Sequence, residues 1–258
     1  MKIVVTIKQI LDPAGFTVNR RRERVFVNRE EYIINPADLN ALEMAACAKD
    51  GRQGVEVIAL GLGPARVDDA LREAIARGAD RAIHLSDPAL ADLKTDAAGA
   101  ARLIAAAVQK IGGVRLVLCG AVALDSGAGE LPGRLAEALG WPMLAQVHSI
   151  DQIGEGQVRV SRRTERVESD LPALLTVPHD ANQPRHMLGV RVVQAYRQKS
   201  VAAWGLSDLG FTPNDLEPLT SVAGRRFPPE RTPGTRLEGS IEEAVQSLVA
   251  QLRAKELI

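Results

Sequence analysis

Short apolar runs alternate with amphipathic stretches along the first half of the chain. The run at residues 3–7 (IVVTI) is continuous, which is typical of a strand buried on both faces of a parallel sheet. Similar runs follow at 55–60, 81–85 and 114–119, with helically spaced apolar residues between them. This pattern predicts consecutive strand–helix units up to residue 142.

The pattern changes after Trp141 and Pro142, where strand-forming residues cluster without intervening helices. Segments 145–150, 157–163 and 173–177 are predicted to contain strands, separated by glycine-containing or polar turns. The predicted fold class is therefore α/β, a doubly wound and mostly parallel sheet with added C-terminal strands.

Beyond residue 177 the chain is rich in proline and shows one clear amphipathic helix, predicted over 240–257. Ser240 and Glu243 have the spacing of a capping box at the start of this helix. A long irregular segment that ends in a helix suggests an extended arm that embraces a partner subunit. The alternative is a helix that folds back on its own domain, and the pattern leaves both open.

Helix starts are predicted at three places in the first half of the chain. Asn35 precedes Pro36, a pair that suits the N-cap and the first helical position. Thr95 is the predicted cap of a helix over 96–111, and a further helix is predicted over 65–77, after a glycine-containing loop.

A loop of small residues connects the strand at 114–119 to the next predicted helix. It contains Gly127 and Gly129, and Leu135 and Leu139 continue behind it at helical spacing. A strand, a small-residue loop and a helix start together allow backbone N–H groups to face a phosphate. The alternative is a plain connecting loop that is kept small for packing.

Composition and charge exclude several classes of function. The 258 residues include 32 basic and 32 acidic side chains, so there is no electrostatic footprint for nucleic acid or an anionic membrane. No apolar run approaches the roughly 20 residues that span a bilayer, and the N-terminus enters a strand at once. Two cysteines, Cys47 and Cys119, indicate a reducing compartment, so a cytoplasmic location is expected.

Candidate chemistry is sparse in this sequence. The serines and histidines show no nucleophile motif, and the cysteines and histidines form no four-ligand zinc pattern, so no catalytic residue or metal ligand is predicted. His84 alternates with core residues and is interpreted as a structural histidine.

The arginine-rich stretch 20–24 is interpreted as a solvated hairpin tip, with an anion site as the alternative. Lys8 and Asp12 follow the first strand, at the sheet edge where open α/β folds bind ligands.

Six motifs resemble those of one family over essentially the whole chain. They are VVTIKQILD (4–12), NPADLNALEMA (35–45), VIALGLGPA (57–65), LREAIARGADRAIHL (71–85), LVLCGAVALDSGAGE (116–130) and LPALLTVPHDANQPR (171–185). In content and order they are similar to the beta subunit of electron transfer flavoprotein, a family with an adenine-nucleotide hydrolase-like fold. The resemblance implies the sheet order 3-2-1-4-5, which places Thr6 beside Gly120.

The resemblance implies an electron carrier subunit and not an enzyme in its own right. It implies a heterodimer with an alpha subunit that holds the redox FAD, with acyl-CoA or other flavin dehydrogenases as donors and a quinone reductase as acceptor. The beta subunit's own site is expected to hold AMP. Two alternatives stay open: an electron-bifurcating member with a second FAD reduced by NADH, and a stand-alone adenine-nucleotide sensor module.

The resemblance also implies the site residues, position by position. The expected nucleotide contacts are Thr6, Asn35, Pro36, Ala37, Asp38, Leu62, Gly120, Ala121, Val122, Ala123, Leu124, Asp125, Ser126, Gly127, Ala128, Gly129, Glu130 and Leu131. The expected partner-recognition residues are Arg185, His186, Met187, Leu188 and Gly189. The corresponding domains are a nucleotide-binding domain at 1–185 and a recognition loop with an extended arm at 186–258.

Two departures from the family pattern bear on these expectations. Residues 128–130 (AGE) replace the hydroxyl and amide side chains that family members usually offer to the phosphate. Glu130 is expected to repel a phosphate unless its carboxylate is turned away or paired. Gly189 stands where a leucine anchor would align, so an apolar anchor with a shifted register is expected at Met187 and Leu188, which suggests a different dehydrogenase partner. The alternative is a plain surface loop.

Overall fold

The computed structural model describes residues 1–89, 96–197, 201–220, 223–224, 226–229 and 234–258. Six α-helices lie in these ranges. They are α1 (Pro36–Asp50), α2 (Val67–Arg77), α3 (Ala97–Ile111), α4 (Glu130–Leu139), α5 (Gly189–Arg197) and α6 (Ile241–Ala254). None of the described helices has the length and apolar content needed to cross a membrane.

Fourteen strands are found in the same ranges. They are β1 (Lys2–Ile7), β2 (Gln9–Leu11), β3 (Phe16–Asn19), β4 (Arg24–Val27), β5 (Tyr32–Ile34), β6 (Glu56–Leu62), β7 (Arg81–Leu85), β8 (Val114–Gly120), β9 (Met143–Leu144), β10 (Ser149–Ile153), β11 (Gln157–Ser161), β12 (Arg166–Asp170), β13 (Ala173–Val177) and β14 (Val201–Trp204).

Seven of these strands form a central sheet in the order β14-β7-β6-β1-β8-β13-β9. Every neighbouring pair in it is parallel. The five strands predicted for this sheet therefore stand in the order 3-2-1-4-5, which confirms what the resemblance implied. The short strands β14 and β9 extend the two edges.

The central strands are continuous apolar runs because helices cover both faces of the sheet. In β1, Ile3 and Val5 belong to the core layer that contains residues of α1 and α2, whereas Val4 belongs to the layer with α3 and α4. Alternate residues of a strand point to opposite faces, so a single apolar run supplies both layers. The predicted doubly wound α/β fold is confirmed.

Three smaller sheets are added to this centre: β2 with β5, β3 with β4, and β10 with β11 and β12. The strands β3 and β4 flank a 3₁₀ turn at Arg20–Arg22, so the predicted hairpin tip is confirmed. The strand predicted at 157–163 corresponds to β11, whereas the strand predicted at 145–150 is displaced and overlaps β10 only at residues 149–150. The strand β12 was not predicted.

Two predicted helix starts are displaced. The helix predicted from Ala65 begins at Val67. For α3, the cap is Asp96, whose carboxylate accepts hydrogen bonds from the backbone N–H groups of Ala98 and Gly99, both at 3.0 Å. Thr95, the predicted cap, lies outside the described residues, and the prediction is wrong. Thr and Asp are both favourable N-cap residues, so the pattern alone did not separate these two neighbours.

Two compact units divide the chain. One comprises residues 1–18 and 25–222, and the other comprises 19–24 and 223–258. The first unit contains the whole central sheet and helices α1 to α5. The predicted division into domains at residues 185 and 186 stays a prediction.

The second unit contains α6, whose start has the predicted capping box. The Ser240 hydroxyl accepts from the backbone N–H of Glu243, and the Glu243 carboxylate accepts from the backbone N–H of Ser240. The two bonds satisfy donors that a helix start otherwise leaves free. On the surface of α6, Ile241, Val245 and Leu248 are exposed.

Candidate functional site

A pocket of about 430 Å³ lies at the carboxyl edge of the central sheet, where β1, β6 and β8 end. In open α/β sheets this edge is where ligands bind. Among the predicted site residues, the pocket is lined by Thr6, Asn35, Asp38, Leu62, Gly120, Ala121, Val122, Ala123, Ser126, Ala128, Gly129, Glu130 and Leu131. The structure thus brings most of the predicted contacts to one cavity, and their role as ligand contacts stays a prediction.

Five predicted site residues do not line the pocket. Pro36 and Ala37 form the first turn of α1, and Leu124, Asp125 and Gly127 lie in the connection between β8 and α4. Each is a chain neighbour of lining residues, so it shapes the wall through the backbone.

Asn35 occupies the N-cap position of α1, but its side chain does not cap the helix. Its amide instead donates to the carbonyl of Val122 at 3.2 Å and accepts from the backbone N–H of Leu124 at 3.1 Å. The predicted N-cap position of Asn35 and the first helical position of Pro36 are confirmed, although the Asn35 side chain makes no capping hydrogen bond. Because both amide groups are used by the loop after β8, Asn35 fixes that loop against the start of α1.

Asp38 joins three elements at the floor of the pocket. Its carboxylate accepts from the backbone N–H of Lys8 at 2.8 Å and from that of Gly120 at 3.1 Å. Burial raises the pKa of this carboxyl to about 6. Its hydrogen bonds with the Lys8 N–H, Asn35 and the Gly120 N–H act in the opposite direction and limit the rise of the pKa. A carboxylate from α1 thus sets the spacing between the ends of β1 and β8.

Gly120 is required at this point because there is no space for a side chain. A Cβ placed on it would lie 2.2 Å from the Asp38 carboxylate oxygen Oδ1 and 2.9 Å from atoms of Ala37. Both neighbours belong to the first turn of α1, which packs directly over the strand end. The glycine therefore permits the close approach of the helix start to β8.

The start of α4 forms one wall of the pocket. Gly127 and Gly129 adopt φ values of 67° and 63°, a left-handed conformation that glycine adopts without strain. Gly129 occupies the N-cap position, and no side chain of the described residues caps the helix there. The first N–H groups of α4 therefore lack a side-chain acceptor, which is the arrangement that favours an anion.

Lys8 also lines the pocket, and its ammonium group forms an ion pair with the loop after β8. The Nζ atom lies 2.7 Å from Oδ1 of Asp125, and both side chains are partly exposed. An exposed ion pair of this kind contributes little to stability, about 0–1 kcal/mol. An anionic ligand can therefore share the ammonium group of Lys8 at small cost.

Glu130 lies at the first position of α4, where a free carboxylate would compete with an anionic ligand. Its Oε2 atom accepts from Arg134 Nη2 at 3.0 Å and from Nε at 3.1 Å. The partner stands one helical turn further along α4, so the charge of Glu130 is paired along the helix. The condition under which Glu130 tolerates a phosphate is met.

The pocket also contains residues that the sequence analysis did not assign to it. Lys8, which the sequence placed at this edge without a role, lines it, as do Asp96, Ala97 and Ala100 at the start of α3 and Thr220. Asp96 before an alanine-rich helix was a visible signal for a helix start. Thr220 lies in the proline-rich segment, where no pattern indicates a contact.

The predicted partner-recognition residues are divided between a partly buried ion-pair cluster and an exposed surface. The Arg185 guanidinium contacts the carboxylates of Glu43 and Asp50 at 2.8 and 2.9 Å, and these hydrogen bonds raise its pKa further above the usual range. Met187 and Leu188 are 44% and 62% exposed. Arg185 is therefore engaged within this chain, while the apolar pair beside it is free to contact another protein.

Gly189 is the first residue of α5 and not part of a loop, and the exposed His186 lies just before the apolar pair.

His84, interpreted as structural, is buried, and its Nε2 atom lies 3.0 Å from the carbonyl of Gly63. That interpretation is confirmed. Within the described ranges, no cluster of three or more histidine, cysteine or acidic side chains has the arrangement of a metal site.

The fold and the pocket together define a doubly wound α/β protein with a ligand-sized cavity at the carboxyl edge of its sheet. A model of the electron transfer flavoprotein domain matches residues 24–209. The chain belongs to the electron transfer flavoprotein family, in its beta-subunit branch. Its role is accordingly that of a subunit in flavin-linked electron transfer.

Three relatives illustrate this relationship. Subunit CarD of the caffeyl-CoA reductase-Etf complex of Acetobacterium woodii is 33% identical, with both chains covered completely. The electron transfer flavoprotein subunit beta of Thermoanaerobacterium thermosaccharolyticum is 32% identical, again over both complete chains. The corresponding subunit of Sus scrofa is 30% identical over 98% of this chain and 97% of its own.

Proposed function

We propose that this chain pairs with an alpha subunit that carries the redox FAD, while its own pocket holds a structural AMP. The heterodimer takes electrons from acyl-CoA or other flavin dehydrogenases and delivers them to a quinone reductase-type acceptor. The observation that carries the AMP assignment is the start of α4 at the pocket wall, where no described side chain caps the helix.

The phosphate of AMP is assigned to that helix start. The backbone N–H groups around Gly129 and Glu130 supply hydrogen-bond donors, and the positive end of the helix dipole favours the anion. Lys8, which also lines the pocket, supplies a cationic side chain. The pairing of Glu130 with Arg134 partly offsets the negative charge of the Glu130 carboxylate. Backbone donors thus take the place of the hydroxyl and amide side chains that this chain lacks at 128–130.

The adenine ring is assigned to the apolar part of the cavity. Leu60 and Leu62 at the end of β6 and Ala100 and Ile104 of α3 line this part. A flat aromatic base fits between aliphatic walls, and a few polar groups at the ends fix its orientation. The volume of about 430 Å³ lies near the lower end of the range for small-molecule sites, about 300–1,000 Å³, which favours a mononucleotide over a complete FAD.

The docking of a dehydrogenase is assigned to the exposed apolar pair Met187 and Leu188. The ion pairs of Arg185 with Glu43 and Asp50 hold the preceding segment against α1 and so fix the base of this surface. The name of the Acetobacterium woodii relative, a subunit of a caffeyl-CoA reductase-Etf complex, supports an acyl-CoA-type partner.

The test is to coproduce the chain with an electron transfer flavoprotein alpha subunit from the same organism, purify the complex, and identify the released nucleotides by chromatography. We expect a heterodimer with one FAD and one AMP. Two FAD and no AMP would contradict the AMP assignment and favour a bifurcating member. A nucleotide-binding homodimer that forms no complex with the alpha subunit would contradict the pairing.

A variant of this chain locates the AMP within the complex. Ala128→Asp adds a carboxylate to the pocket wall at the start of α4, so the AMP should be lost while the FAD of the partner is retained. Ala128→Asn, of nearly the same size but neutral, is the matched control and should keep most of the AMP. Loss of both nucleotides from both variants would indicate a general structural effect and contradict the assignment.

A further inference from the structure

Residues 204–220, here called the strap, follow α3 from its last turn to its first. At the last turn, the Lys110 ammonium lies 4.7 Å from the centre of the Trp204 ring and donates to the carbonyl of Asp208 at 2.7 Å. A cation over an indole ring and a charged hydrogen bond both favour this contact. They hold the first part of the strap against α3.

The middle of the strap is held by a second basic residue of the same helix. The Arg102 guanidinium lies 5.4 Å from the centre of the Phe211 ring and donates to the carbonyl of Asp215 at 2.6 Å. Leu216 is 1% exposed and packs in the core layer that contains α3. The position of the last residues of the strap is therefore determined by α3.

Asp96 fastens the end of the strap at the mouth of the pocket. One carboxylate oxygen accepts from the N–H groups of Ala98 and Gly99 and so caps α3. The other accepts from the N–H groups of Leu219 and Thr220 at 2.9 and 3.1 Å, and from the Thr220 hydroxyl at 3.2 Å. All the strong acceptor positions of this carboxylate are used inside the protein.

The hydrogen bond between Asp96 and the Thr220 hydroxyl has a defined direction. The N–H donors of Gly99, Leu219 and Thr220, with the Thr220 hydroxyl, hold the pKa of Asp96 below its usual range, so the carboxylate is ionised and accepts only. The hydroxyl proton of Thr220 is therefore committed to Asp96. Thr220 lines the pocket, and with its proton committed to Asp96 its Oγ1 atom can only accept a hydrogen bond from a ligand.

The two helix starts at the pocket receive different parts of a nucleotide. At α3 the first N–H groups are occupied by Asp96, and the carboxylate repels a phosphate. At α4 no described side chain caps the helix, so the phosphate is assigned there. The base is thereby directed toward α3 and the end of the strap.

From these contacts we infer that Thr220 determines the base specificity of the pocket by accepting a hydrogen bond from an amino group of the ligand, with Asp96 as its positioning residue. The ligand class is a nucleotide whose base carries an exocyclic amino group, as adenine does. This inference rests on the proposed nucleotide function, and it holds for adenine in AMP and in FAD alike.

The test compares AMP with purine riboside 5′-monophosphate, which differs only in lacking the amino group. Both are titrated calorimetrically into the full-length chain after removal of bound nucleotide. We expect the wild type to bind AMP about five- to tenfold more tightly, the value of one hydrogen bond. Thr220→Val, which keeps the shape and loses the hydroxyl, should bind both ligands equally. Thr220→Ser, which keeps the hydroxyl, should retain the preference.

Each outcome bears on the inference. Preference for AMP in the wild type and in Thr220→Ser, with none in Thr220→Val, supports it. An equal preference in all three proteins, with AMP bound normally, overturns it while leaving the proposed function intact. Failure of the folded wild type to bind either nucleotide overturns the proposed function and the inference together. Thr220 is exposed, so we expect the thermal unfolding of all three proteins to coincide.

Discussion

Two helices of this protein, α3 and α4, begin at the same pocket but differ at their first turns. Asp96 caps α3 and brings a negative charge to the pocket, whereas α4 begins at Gly129, where no described side chain caps it. The positive end of a helix dipole is present in both cases. The two starts thus differ in that the Asp96 carboxylate caps α3, whereas the Glu130 carboxylate of α4 is paired with Arg134 and does not cap the helix.

Both helix starts depend on one floor, in which Asp38 of α1 holds the ends of β1 and β8 together. Changes to the floor should therefore affect both ends of the pocket, and changes at a helix start should affect one end.

Gly120→Ala is expected to have the largest effect, because its Cβ would lie 2.2 Å from Asp38 Oδ1. We expect a loss of about 3 kcal/mol in the free energy of unfolding, measured by urea denaturation.

Gly133→Ala is the matched control for that change. Gly133 lies within α4, and a Cβ there meets no atom within 4 Å. Replacing an exposed helical glycine by alanine is expected to stabilise the protein by about 0.5–1 kcal/mol. Equal losses of stability in the two variants would contradict the account of the floor.

A second test of the floor uses pH. Burial raises the pKa of Asp38 from 3.8 to about 6 in the folded protein, so the folded state binds more protons than the unfolded state between these values. The contribution of Asp38 to stability therefore falls as the pH rises from about 4 to about 6, by about 2–3 kcal/mol. Above about pH 6 Asp38 is ionised in both the folded and the unfolded state, so its effect on the free energy of unfolding no longer changes with pH.

The measurement is the free energy of unfolding of the wild type and of Asp38→Asn from pH 4 to pH 7. Because the other carboxylates are common to both proteins, the difference between the two curves isolates Asp38. We expect the wild type to lose stability relative to the variant as the pH rises. A difference that does not change with pH would contradict the assigned environment of Asp38.

The α4 side of the comparison is tested by the affinity of the Ala128→Asp variant for AMP. The added carboxylate gives α4 the negative charge that Asp96 gives α3, so AMP should bind at least tenfold more weakly, about 1.4 kcal/mol. Calorimetric titration measures the change, with the neutral Ala128→Asn as control. Similar weakening by both substitutions would show that charge at this helix start is not the cause.

The smallest expected effect concerns the α3 side, where Asp96→Asn can still accept the helix N–H groups but loses one anionic oxygen. The variant should keep the cap of α3 and release residues 219–220, at a cost of about 1 kcal/mol. Amide hydrogen exchange of Leu219 and Thr220 should become faster, while that of Ala98 and Gly99 stays protected. Unchanged protection of the strap would contradict the fastening role of Asp96.

Much of the fold was predictable because the relevant signals are local. The continuous apolar runs of β1, β6 and β8 require burial on both faces, and the glycines at 127 and 129 mark a tight loop before a helix. The order of the strands came from the family resemblance, since the pattern of one chain does not determine it. The pairing of Glu130 with Arg134 was not predicted, because a spacing of one helical turn permits this ion pair but does not give the direction of the side chains.

What the sequence did not predict are contacts between distant segments. Asn35 is a favourable cap by type, but two backbone groups of the loop after β8 compete for its amide and prevail. Thr220 reaches the pocket only because Lys110, Arg102 and Asp96 fasten the strap along α3. Such competition depends on the folded arrangement, and local propensity carries no information about it.

The central claim is that the pocket places a phosphate at α4 and a base at α3, and the most direct measurement compares AMP with adenosine. We predict that Ala128→Asp weakens the binding of AMP at least tenfold and leaves adenosine unchanged, since adenosine has no phosphate to repel. Thr220→Val should weaken AMP and adenosine by the same factor. Weakening of AMP alone by Thr220→Val, or equal weakening of both ligands by Ala128→Asp, would contradict the claim.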